Sequence, residues 1–81
     1  MGSNRKVMAD KDNFKNKTIE FCTKYNTDNK ILSNYFDSIF LNDTKSMEIY
    51  ALLLFNDCPK ELFNEMKNEL KELVKEYMDL Q

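Results

Sequence analysis

The strongest constraint on the fold lies in the last third of the chain. Phe63, Met66, Leu70, Leu73, Tyr77 and Leu80 recur at alternating steps of three and four, and Leu62 and Val74 widen the stripe. That spacing puts them on one face of a helix and leaves Glu and Lys to fill the opposite face. A helix over residues 59–80 follows. At about 1.5 Å per residue it is about 30 Å long, and its stripe must be covered by the rest of the chain or by a second chain.

The remaining segments carry the same periodicity in shorter pieces. Phe14, Thr18, Phe21/Cys22 and Tyr25, with Ile19 on the flank, predict a helix over 12–25. "NTDNK" then supplies residues that hydrogen-bond their own backbone, and Thr27 or Asp28 can cap the next element. Ile31/Leu32, Tyr35/Phe36 and Ile39/Phe40 recur every four residues and predict a second helix over 28–41. After the turn-forming "NDTKS" comes "MEIYALLLF", a run so uniformly apolar that periodicity alone does not separate helix from buried strand. Its Met, Glu, Ala and Leu favour helix, and a lone strand would leave its backbone unpaired. A third helix over 44–56 is therefore expected, buried on most sides at the centre of the domain.

Only one glycine, Gly2, and one proline, Pro59, occur in 81 residues. Sheets and tight hairpins draw on both, so their scarcity supports an all-α fold. The expected architecture is a small bundle of four helices forming a single domain over 12–81, preceded by a flexible arm over 1–11 that is poor in apolar residues. Met1-Gly2-Ser3 resembles the remnant of an expression vector. At the last junction Cys58 is expected as the N-cap and Pro59 as the first residue of the fourth helix, because proline disfavours helical geometry in the residue before it and suits the first helical position.

Composition removes most catalytic chemistry. There is no histidine, the two cysteines lie at 22 and 58 with no second pair, and "DKDN" at 10–13 lacks the mid-loop glycine of a calcium loop. With no glycine-rich phosphate loop either, no enzyme activity, metal or cofactor is expected. The longest apolar run, Ile49 to Phe55, is far shorter than the ~20 residues a membrane helix needs. No membrane association is expected, and free thiols without an apolar signal segment suggest a cytoplasmic protein.

Charge is distributed unevenly. Residues 1–30 hold seven Lys/Arg against four Asp/Glu, and residues 31–81 hold five against ten, for a net charge of −2. A small acidic helical chain without catalytic groups is expected to be a protein-binding or regulatory module of inhibitor, immunity, antitoxin or adaptor type. Its candidate surfaces are an apolar groove beside Tyr35, Phe36 and Phe40, and the acidic face Glu65, Glu69, Glu72 and Glu76. Tyr77 lies near the end of the apolar seam, where a homodimer through the C-terminal helix could form. The alternative is a nucleic-acid-associated regulator using Arg5, Lys6, Lys11, Lys15 and Lys17. The acidic body counts against nucleic acid, since it repels phosphate. A helix-turn-helix would present "MEIYALLLF" to the bases, which offers them almost no polar side chain.

Overall fold

A computed structural model, which describes the backbone of residues 2–81 and the side chains of residues 10–81, is all-helical. Helix α1 spans Gly2–Tyr25, α2 Asn29–Phe40, α3 Thr44–Phe55 and α4 Phe63–Leu80, with a 3₁₀ turn at Lys60–Leu62. The expected small all-α bundle forms. The backbone of α1 is helical ten residues earlier than apolar spacing predicts, from Gly2. The expected arm falls mostly on positions whose side chains lie outside the described residues, Arg5 and Lys6 among them.

Asparagine does the work of glycine at the turns. Asn26 and Asn42 take the left-handed conformation, with φ of 54° and 57°, which Asn tolerates better than most residues with a Cβ. Each sits just past a helix end. Thr27 N–H donates to Cys22 O at 3.0 Å, and Asp43 N–H donates to Ser38 O at 2.9 Å, closing the six-residue loop that satisfies terminal carbonyls. An aspartate then opens the following helix in each case. Asp28 accepts from Lys30 N–H at 2.7 Å, and Asp43 accepts from the N–H and Oγ of Ser46 at 3.2 and 2.8 Å. The short Asn42-Asp43 link folds α2 and α3 into a hairpin.

The core forms where α4 runs antiparallel to α1. Met66, Leu70 and Leu73 of α4 are buried in one cluster with Phe21, Cys22 and Tyr25 of α1, Leu32 and Phe36 of α2, Leu54 of α3 and Cys58. Lys24 reaches Glu65 and Glu69 at 3.1 and 2.7 Å, and Lys17 reaches Glu76, so pairs that descend in α1 ascend in α4. Exposed ion pairs of this kind add little stability, but they fix which faces meet. Farther along, Phe14, Phe36 and Tyr77 form an aromatic cluster with ring centroids 5.0 to 6.3 Å apart. Asp10 and Asn13 of α1 lie beside Glu76, Asp79 and Leu80, so the last turns of α4 have a neighbour.

Helix α3 is not central. Only Leu54 is buried in it, while Ile49, Leu52 and Leu53 point outward at 57%, 75% and 46% exposure. The expectation of a helix buried on most sides fails for a physical reason. A domain of this size has little interior, and α1, α2 and α4 already enclose it. The hairpin leaves α3 packed chiefly on α2, with one face inward and the opposite face uncovered.

Pro59 also departs from expectation. Its ψ of 137° is extended, it precedes the 3₁₀ turn in which Leu62 N–H donates to Pro59 O at 3.0 Å, and α4 begins at Phe63. Cys58 is not the cap of α4, which has no side-chain cap. The 3₁₀ turn consumes the residues after proline, and Phe63 then meets Phe55 edge to face at 5.4 Å.

Neighbouring leucines in one apolar run should thus differ sharply. Leu54→Ala is expected to cost about 2–5 kcal/mol in urea unfolding through lost burial and a cavity, and Leu52→Ala less than about 0.5 kcal/mol. Equal losses would place α3 differently from the arrangement described.

Candidate binding surface

Where the α2–α3 hairpin meets α4, the uncovered side chains enclose a groove of about 730 Å³. Tyr35 and Ile39 of α2, Ala51 and Phe55 of α3, and Leu70 and Val74 of α4 line it. An adjoining depression of about 550 Å³ shares Ala51, Phe55 and Lys67 and extends to Leu52 and Phe63. The outward face of α3 continues the same apolar surface, because Ile49, Leu52 and Leu53 occur at the i, i+3, i+4 spacing that makes one stripe. Phe40 and Leu41 are also exposed, at the end of the α2–α3 hairpin.

Lys67, Lys71 and Lys75 follow one another at four-residue steps along the α4 side of this groove. Among the described residues none of the three has a carboxylate within 4 Å, in contrast with Lys17 and Lys24. Of the two glutamates that also border the groove, Glu69 is held by Lys24 and Glu72 has no basic partner among the described residues. The rim is basic even though the chain is acidic.

The residues singled out from sequence are dispersed by the fold. Tyr35 lines the groove, and Phe40 is 54% exposed. Phe36 belongs to the core instead, 5% exposed among Phe14, Tyr35 and Tyr77. Tyr77 is half-buried and donates to Asp37 Oδ1 at 3.5 Å; burial, and then the Asp37 charge, raise its pKa. Glu65, Glu69 and Glu76 face the lysines of α1, so the acidic face lies along the exposed seam between α1 and α4, with Glu72 the member unpaired among the described residues. Leu73 is buried in the same chain, and the stripe that could have joined two C-terminal helices is mostly consumed in the core. Of the basic residues, Lys11 and Lys15 are exposed, Lys17 is bound to Glu76, and the side chains of Arg5 and Lys6 lie outside the described residues.

The groove residues Ile39, Ala51, Phe55 and Val74 escaped sequence reasoning, as did the role of the lysine row. Its four-residue spacing is visible in the sequence, where it shows only that the three lysines share one face of a helix. The other available signal was the surplus of apolar residues in "MEIYALLLF" beyond what a short helix can bury on one face.

Neither thiol is placed for reactivity. Cys22 is buried, donates to Asn29 Oδ1 at 3.8 Å, and has its pKa raised to about 11 by burial and then by the Asp28 charge. Cys58 is buried too, and burial followed by the Glu61 charge raises its pKa. Both shifts disfavour the nucleophilic thiolate. Tyr25, the most deeply buried hydroxyl, donates to Glu65 Oε2 at 3.2 Å, and burial pushes its pKa up to about 12.

Among the described residues no group of three or more Cys, Asp or Glu is placed to hold a metal ion, and no helix is long and apolar enough to cross a membrane. Compared with protein-family models, with curated proteins and with solved structures, the chain matches none.

Two carboxylates tie folding to pH. Glu65 has its pKa lowered by its bond from Lys24 and then by that from Tyr25, and Asp43 has its pKa lowered by its bonds from Ser46. A folded-state pKa below the unfolded one gives stability that is present above the ordinary carboxylate range and lost as pH falls through the lowered value. Thermal melts from pH 7 to pH 3 are expected to show a falling Tm, with a smaller fall in Glu65→Gln and Asp43→Asn. Identical acid sensitivity in the variants and the parent would exclude these two groups as its source.

Proposed function

We propose that this chain is a small non-catalytic binding module that holds a partner protein on the surface formed by α3 and the groove between the α2–α3 hairpin and α4. The observation that carries this reading is the uncovered apolar face of α3, where three large apolar side chains lie exposed together on one helix. Isolated exposed leucines are ordinary, but Ile49, Leu52 and Leu53 share one face of α3, and Leu52 lines the depression that adjoins the groove of Ile39, Phe55 and Val74. Burying one such side chain at an interface removes apolar area worth about 1.5–3 kcal/mol, so a few suffice to anchor a complex.

Modules of inhibitor, immunity, antitoxin or adaptor type work by covering a partner's surface. They need a rigid shape and no reactive group. The buried, weakly acidic thiols fit that role, and two free cysteines suit a reducing cytoplasmic setting.

The reading is tested by affinity capture from the native host with quantitative mass spectrometry, using the parent and an Ile49→Ser/Leu52→Ser variant. Both positions are exposed, so the variant is expected to keep the helical circular-dichroism spectrum. Specific recovery of the partner should drop at least about tenfold, the equivalent of about 1.4 kcal/mol. Undiminished recovery by a folded variant would remove this face as the binding surface.

A further inference from the structure

We infer that the groove receives an amphipathic α-helix of another protein, with its apolar stripe on Ile39, Phe55 and Val74 and a row of Asp or Glu facing Lys67, Lys71 and Lys75. This rests on the binding-module reading and specifies the partner's chemistry.

Three observations lead to it. The groove lies between helices, and the described residues offer no sheet edge to which an extended peptide could add a strand. A channel between packed helices accepts a further helix by the ridge-and-groove geometry that joins helices within a core. Next, the lysines repeat every four residues, or about 6 Å along the axis, which is the repeat of side chains on one face of a helix lying alongside. Finally, the rim carries three lysines against one unpaired glutamate, Glu72, so an acidic flank meets complementary charge and a basic one meets repulsion.

A second copy of this chain fits the groove poorly. The acidic row of α4 is turned toward α1, where Lys17 and Lys24 hold Glu65, Glu69 and Glu76. The outward apolar face of α3 has Glu48 as the only acidic residue of that helix. Among the described residues no helix joins an exposed apolar stripe to a free acidic row.

Two synthetic helical peptides of about 16 residues provide the test, sharing one leucine stripe and carrying Glu or Lys at the same flanking positions. Each is titrated into the full chain, followed by amide chemical shifts. The Glu peptide is expected to shift Ala51, Phe55, Leu70, Lys71 and Val74, and to bind at least about tenfold more tightly than the Lys peptide at low salt, with the ratio shrinking as salt is raised. Reversing the rim with Lys67→Glu/Lys71→Glu/Lys75→Glu should invert the preference and leave the circular-dichroism spectrum helical. Equal binding of both peptides in the groove, or preference for the Lys peptide, would overturn the acidic helix while leaving the groove a docking site. No shift at the groove with either peptide at about 1 mM would overturn this inference and weaken the binding-module reading with it. A dimer in sedimentation whose interface covers the groove would replace the acidic helix with a second copy.

Discussion

Burial of the α4 stripe against α1 is the interaction on which the rest of the structure depends. Met66, Leu70 and Leu73 are the inward residues of the longest apolar repeat in the sequence, and Phe21 and Tyr25 join them in the same cluster. Once the two longest helices lie antiparallel, α2 completes the enclosure through Leu32 and Phe36. The ion pairs of Lys17 and Lys24 record that alignment at the surface. Little interior remains, and α3 enters it mainly through Leu54. The exposed apolar face of α3 is thus the consequence of a core that takes only Leu54 from it.

The turns reinforce this order. Left-handed Asn26 and Asn42 end their helices abruptly, and Asp28 and Asp43 start the next ones within two residues. Such short connections hold α2 and α3 side by side and leave α3 no route across the bundle. The 3₁₀ turn after Pro59 then returns the chain to α4, and Phe55 and Phe63, in contact with each other, line the depression that adjoins the groove. Binding surface and core are therefore made by the same few junctions.

Periodicity made three of the helices legible through an apolar repeat near 3.6 residues, and α3 was legible through a composition that favours helix over strand. It could not place α3, since a run as uniformly apolar as "MEIYALLLF" has no contrast between faces. Phe36 and Phe40 share the broad face of α2 in sequence, yet only their neighbours in space make the first a core residue and the second a surface one. The glutamates of α4 were legible as an outer face of that helix. That the lysines of α1 stand opposite them is tertiary information. The early start of α1 was hidden because residues 2–11 carry too few apolar residues to show a stripe. Pro59 keeps the φ its ring dictates, but its preference for the first helical position does not distinguish an α-turn from the 3₁₀ turn that follows.

A chain that buries the stripe of its C-terminal helix and exposes part of its most apolar one separates what holds it together from what it offers to others. That division is the central claim, and side-chain accessibility tests it directly. With methyl groups labelled in the free protein, relaxation enhancement by a soluble paramagnetic agent should be strong at Ile49, Leu52 and Leu53 and weak at Leu54, Leu70 and Leu73. Shielded methyls at Ile49, Leu52 and Leu53, comparable to those of Leu54, would contradict it.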